Sequence, residues 1–258
     1  MSHYKIEGQQ LTFTDGRFYP HPETGEWVPS VTAVIQDGAP MPYALKKFLM
    51  QHGNDSEVIK QEAGDQGSAV HEMTERYDRG EEVRLLDEKG KPNCSLKEWA
   101  MFERYVEFSR GRLVQWTEIE TRYIGHEWAG TVDRVGYVEG VGHCIVDIKT
   151  SNGIWETYWQ QLAAYHHLVR AARSADKHAI QAVCILWLNA KTRSEGRKGA
   201  IQGKGWQLVT IPVGPELTAH LELFMAYRKV WEQTTAAKAP RQITYQLAHR
   251  KEGGNDPA

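Results

Sequence analysis

The stretch from Gly130 to Tyr165 constrains this chain more than any other. Trp128 to Val138 and His143 to Ile148 read as two strands around a Glu139-Gly140 turn, and Ile154 to Arg173 has helical spacing. The first strand carries Gly130-Thr-Val-Asp133, the second ends in Asp147-Ile-Lys149-Thr150, and the helix carries Gln161-Leu-Ala-Ala-Tyr165. Two apart on a strand, Asp147 and Lys149 point to the same face. A hairpin at Glu139-Gly140 brings Asp133 within reach of them. The apolar run Cys144-Ile-Val leads straight into these charges, at the mouth of a buried sheet where unpaired charge is costly. A bound cation removes that cost. Asp-x-Lys at a strand end is by itself weak evidence, because a solvated salt-bridging edge has the same pattern.

The rest of the chain supplies the frame. Leu11 to Tyr19 alternates about Asp15-Gly16, which predicts a small hairpin. Val28 to Ile35 reads either as strand or as a helix capped by Ser30. Tyr43 to Met50 is a short amphipathic helix, and a longer one runs from about Ser56 to about Tyr77. In it, Gly67 stands four places before His71, so both share a helical face and the backbone can approach a neighbour closely. Ser95-Leu-Lys-Glu98 has the form of a capping box opening a third helix to about Gly111. Strands follow at Leu113 to Ile124, Ala179 to Leu188 and Trp206 to Val213, with a final helix from Pro215 to Thr235. The Lys191 to Lys198 group reads as a solvated loop, or as a basic finger touching phosphates. Residues 249–258 read as a disordered tail.

With 258 residues and a formal net charge of -2, coating nucleic acid by bulk electrostatics is excluded, although a local basic groove is not. Cys94, Cys144 and Cys184 are widely spaced and form no CxxC pair, which fits a reducing compartment. No apolar run reaches the roughly 18 residues of a membrane span, and the first residues lack the pattern of a targeting peptide. The expectation is a soluble cytoplasmic protein, bacterial or phage-encoded.

Hydrolysis of a phosphodiester needs an activated water, neutralisation of charge building on phosphoryl oxygens, and help for the leaving alkoxide. A carboxylate-held Mg2+ or Mn2+ with a nearby lysine supplies much of this. The segments Pro29-Ser-Val-Thr32, Gly67-x-x-x-His71, Gly130-Thr-Val-Asp133, Asp147-Ile-Lys149-Thr150 and Gln161-x-x-x-Tyr165, in that order, resemble the PD-(D/E)xK nucleases. The likeness is to their RecB-type exonuclease branch in particular, which includes the mitochondrial genome-maintenance exonuclease and phage relatives.

The resemblance implies an α/β fold with a restriction-endonuclease-like mixed central sheet flanked by helices, with N-terminal helical additions. It implies a single nuclease domain over 1–248, with a helical part at about 30–112 and a catalytic core at about 113–235. His71, Asp133, Asp147 and the Ile148 carbonyl would hold Mg2+ or Mn2+. Asp133, Asp147 and Lys149 would be catalytic, with Lys149 orienting or activating water, and Gln161 and Tyr165 would position Lys149 or the scissile strand. Glu118 and Glu120 read as sharing one strand face, and Glu120 is a candidate outer ligand. Ser68 and Thr150 are candidate substrate contacts, and His126, His166 and His167 read as packing or surface. Three cysteines cannot supply the four-cysteine iron-sulfur cluster of some relatives, so none is expected. The implied activity is metal-dependent hydrolysis of DNA, from ends or on single strands. A structure-selective endonuclease, or a silent nucleic-acid-binding protein of the same fold, are the alternatives.

Overall fold

A computed structural model of the chain describes residues 4–7, 10–13, 17–173, 179–193 and 201–244. Strands β1 (Tyr4–Glu7) and β2 (Gln10–Phe13) pair antiparallel, as do β3 (Phe18–Pro20) and β4 (Trp27–Pro29). The hairpin expected between β2 and β3 is therefore not formed, and Asp15 and Gly16 lie outside the described residues. Alternation marks a strand but does not choose its partner. The turn that closes the β3–β4 ribbon is built instead by His21, whose Nδ1 accepts the backbone N–H groups of Glu23 and Thr24, each at 3.3 Å.

At Ser30 the chain passes from strand to helix. The Ser30 hydroxyl accepts the Ala33 N–H at 3.0 Å and caps α1 (Val31–Gly38), so both readings of Val28 to Ile35 hold in part. Helix α2 (Tyr43–His52) follows, none of its residues buried. Then come α3 (Asp55–Asp78) and α4 (Leu96–Arg110), the latter with both halves of the Ser95–Glu98 capping box in place.

Five strands, β5 (Val114–Ile124), β6 (Ala129–Val138), β7 (Gly142–Lys149), β8 (Ala182–Arg193) and β9 (Ile201–Pro212), form one sheet in that order. Only β7 and β8 run parallel, joined by the crossover helix α5 (Glu156–Ala172). Helix α6 (Pro215–Thr234) and β10 (Gln242–Thr244) complete the described chain, β10 pairing with β2. The basic group divides: Lys191 to Arg193 extend β8, whereas Ser194 to Lys198 and the predicted tail lie outside the described residues. No helix among the described residues is long and apolar enough to cross a membrane.

The sheet is covered on both faces. Cys144, Val146 and Ile148 of β7, with Ala182, Cys184, Leu186 and Leu188 of β8, pack with Val70 and Met73 of α3 and Met101, Phe102, Tyr105 and Phe108 of α4. The alternate residues, Ile145, Val183 and Ile185, pack with Val34 of α1, Leu162 and Val169 of α5 and Phe224 of α6. Double-sided burial explains why these strands read as nearly continuous apolar runs. It also assigns Asp147 and Lys149, which follow the parity of Ile145, to the α5 side.

Gly136 sits where β6 faces the register shift between Trp116 and Glu118 of β5. A Cβ there would lie 2.2 Å from the Gln115 carbonyl oxygen and 2.8 Å from Trp116 Cα, so backbone would have to move. Gly64, inside α3, has nothing within 4 Å of its Cβ position. Gly136→Ala should lower the unfolding free energy by about 1–3 kcal/mol, whereas Gly64→Ala should raise it by about 0.5–1 kcal/mol. Urea unfolding of the two variants checks both signs.

Candidate active site

The antiparallel ladder between β6 and β7 runs as far as Arg134 opposite Val146, which leaves Asp133 and Asp147 as the next pair in register. There side chains replace the backbone pairing. The Ile148 N–H donates to Asp133 Oδ2 at 2.7 Å, and the Ile148 carbonyl accepts from His71 Nε2 at 3.0 Å. His71 reaches this point from α3, far upstream in sequence. Gly67, one turn earlier, permits the approach: a Cβ there would be 3.3 Å from Thr150 Oγ1, at the end of β7.

His71 Nδ1 faces two carboxylates, 3.6 Å from Asp133 Oδ2 and 3.8 Å from Glu120 Oε1. His71, Glu120 and Asp133 each place a ligand atom within 4.8 Å of the others, a grouping that can hold a metal ion. Burial disfavours a charged imidazole here, but Asp133 and Glu120 outweigh it and hold the His71 pKa up at about 9.

Asp147, also expected among the ligands, stands against Lys149, with Oδ2 2.7 Å from Nζ. That oxygen is buried and makes no hydrogen bond of good geometry. Burial raises the Asp147 carboxyl above the ordinary carboxylate range; Lys149 opposes the shift and the like charge of Asp133 adds to it. A buried carboxylate oxygen with spare lone pairs, a second carboxylate beside it and an imidazole across from them make a donor set that fits Mg2+ or Mn2+. His71, Asp133, Asp147 and the Ile148 carbonyl would hold the ion, with Glu120 at its side.

Lys149 is held from three directions. Besides Asp147, its Nζ donates to Gln161 Oε1 at 3.1 Å and lies 4.5 Å from the centre of the Tyr158 ring. Gln161 in turn donates to the Tyr165 hydroxyl at 2.9 Å. Burial would discharge the lysine, yet Asp147 and Asp133 raise its pKa, so it stays an ammonium. The Gly130 of Gly-Thr-Val-Asp133 makes room for this relay, since a Cβ there would lie 2.4 Å from Tyr165 Cε1.

Glu118 and Glu120 do not share a face. Glu118 bonds the Tyr123 hydroxyl and lies 3.1 Å from Arg173 Nε, on the α5 side. Glu120 has φ +49°, the left-handed region, which breaks the alternation of β5 and turns its carboxylate to His71 and Arg134. Such a backbone costs about 1–2 kcal/mol in a residue with a Cβ. Two further residues went unread in the sequence: Tyr158, under the lysine, and Arg134, buried directly behind Asp133. A charged residue following Asp133 inside an apolar strand was the available signal for Arg134.

The site opens on a cleft of about 980 Å³ lined by Thr32, His71, Glu72, Arg76, Glu120 and Lys149 among others. Ser68 stands exposed on its wall, its hydroxyl donating to the Gly64 carbonyl at 3.0 Å. His126 stacks on His21 and His167 packs on Trp128, away from this cluster.

The PD-(D/E)XK nuclease superfamily profile matches residues 44–250. No curated protein shows a significant sequence match. Among solved structures, the chain is similar to a candidate exonuclease from Eubacterium rectale, with TM-score 0.36 and 12% identity over 65% of this chain and 66% of that one. It is also similar to a phage-related exonuclease from Haemophilus somnus 129PT, with TM-score 0.34 and 16% identity over 81% and 95%. An alkaline exonuclease from Laribacter hongkongensis gives TM-score 0.26 and 10% identity over 78% and 88%. With its mixed five-stranded sheet, its Asp133 within β6 beside Asp147 and Lys149 at the end of β7, and a profile match over most of its length, the chain belongs to the PD-(D/E)XK nuclease superfamily.

Proposed function

We propose that the chain is a Mg2+- or Mn2+-dependent deoxyribonuclease that hydrolyses phosphodiester bonds in DNA, acting as an exonuclease on single strands or free ends. The observation that carries the reading is the convergence of His71 from α3, Asp133 from β6, and Asp147 and Lys149 from β7 around the single peptide unit of Ile148. When bound, the cation would neutralise charge developing on the phosphoryl oxygens and acidify a water. Asp133 and Asp147 would serve as its carboxylate ligands. Lys149, kept charged by those carboxylates and aimed by Gln161, donates to a phosphoryl oxygen or orients the attacking water. Tyr165 fixes the Gln161 amide, and the Tyr158 ring packs against the ammonium. The preference for single strands or ends rests on the RecB-type motif set. The free, buried Cys144 and Cys184 suit a reducing cytoplasm.

End-labelled single-stranded DNA should be degraded with Mg2+ and left intact with EDTA. Asp147→Ala and Lys149→Ala should each lower turnover by about 100-fold or more. Metal-independent cleavage, or full activity in both variants, would overturn the mechanism. Circular single-stranded DNA should survive; its cleavage would make the protein an endonuclease. Gly130→Ala, by displacing the Tyr165 ring, should reduce kcat about 10-fold or more in a chain whose circular dichroism is unchanged.

A further inference from the structure

Arg134 is among the largest fully buried side chains of the described residues, and it lies immediately beneath the cluster of candidate ligands. A buried guanidinium is tolerated only when its donors are met. Here Nε donates to Asp78 Oδ2 at 2.6 Å, Nη1 to Glu120 Oε1 at 3.1 Å and to the Asp133 carbonyl at 2.7 Å, and Nη2 to Thr74 Oγ1 at 3.1 Å. Thr74 and Asp78 stand three and seven places beyond His71 on α3, the same side of the helix. One planar fork therefore ties together the helix that carries His71, the strand that carries Glu120 and the strand that carries Asp133. Asp78 is itself held by the Tyr105 hydroxyl, which accepts from Trp116 Nε1 at 3.2 Å.

A buried ion pair serving stability alone needs one partner, and apolar residues of similar volume often serve equally well. This one is divided among three elements, α3, β5 and β6, each of which carries a member of the candidate ligand cluster. Its Glu120 arm holds the one residue other than glycine with positive φ among the described residues. We propose that Arg134 is a positioning residue: its fork sets the spacing of His71, Glu120 and Asp133 at which they accept a divalent cation. The inference rests on the nuclease reading above. A lysine cannot replace the fork, because it offers donors from one point rather than along a plane. Asp78 belongs to the same device, although it touches no candidate ligand.

The test is Mn2+ binding, followed by loss of the free-ion paramagnetic resonance signal, on the parent chain and on Arg134→Lys, Asp78→Asn and Thr74→Val. Circular dichroism and thermal melting of each report folding. Arg134→Lys should remain folded and bind Mn2+ about 10- to 100-fold more weakly, with kcat lowered and the KM for DNA little changed. Asp78→Asn should shift both quantities in the same direction by a smaller factor, which keeps the proposal exposed should Arg134→Lys fail to fold. Mn2+ affinity equal to the parent's in the folded variants would overturn the role of Arg134 and leave the nuclease reading standing. If the parent chain bound no Mn2+, the metal-dependent reading would fall as well.

Discussion

The peptide unit of Ile148 is the joint on which the site depends. Both of its polar groups emerge where the β6–β7 ladder ends, and neither finds a backbone partner in β6. The N–H takes the Asp133 carboxylate and the carbonyl takes the His71 imidazole. Unmet backbone groups at that depth are costly, so the sheet's own hydrogen-bonding needs bring a carboxylate and a histidine together. The side chains flanking this peptide complete the arrangement. Ile148 points into the α3–α4 core and anchors the strand, while Asp147 and Lys149 point to the other side and face α5.

Electrostatics then decides what the site can do. Asp133, Asp147 and Glu120 crowd one region, and the protein offsets them with His71, Lys149 and Arg134. The offset is incomplete at Asp147 Oδ2, which is buried next to a lysine without a well-formed hydrogen bond. On the proposed reading a divalent cation would satisfy that oxygen and separate the roles of the two positive side chains at the surface of the cleft. His71 would then be a ligand, and Lys149, held by Gln161 and Tyr158, would face the substrate.

Much of this was readable before any coordinates. Period-two spacing placed Asp147 and Lys149 on one face, the Glu139-Gly140 turn paired Asp133 with them, and Gly67 before His71 announced a close approach that proves to be with Thr150. Helix α4 announced itself through Ser95 and Glu98. What escaped the sequence has physical causes. Glu120 was read by strand parity, and a single left-handed residue overturns parity without any glycine to signal it. Arg134 was unread because its burial depends on Asp78 and Thr74, some sixty positions away, closing over it. The hairpin expected at Asp15-Gly16 failed because β2 and β3 each had another partner, in β1 and β10 for one and β4 for the other.

The most direct test of the account is anomalous diffraction from crystals of the protein soaked in Mn2+. It predicts a peak within coordination reach of His71, Asp133 and Asp147, beside the Ile148 carbonyl, with Lys149 Nζ still bonded to Gln161. A crystal that shows Mn2+ elsewhere but none at this point, with Asp147 still closed on Lys149, would contradict it.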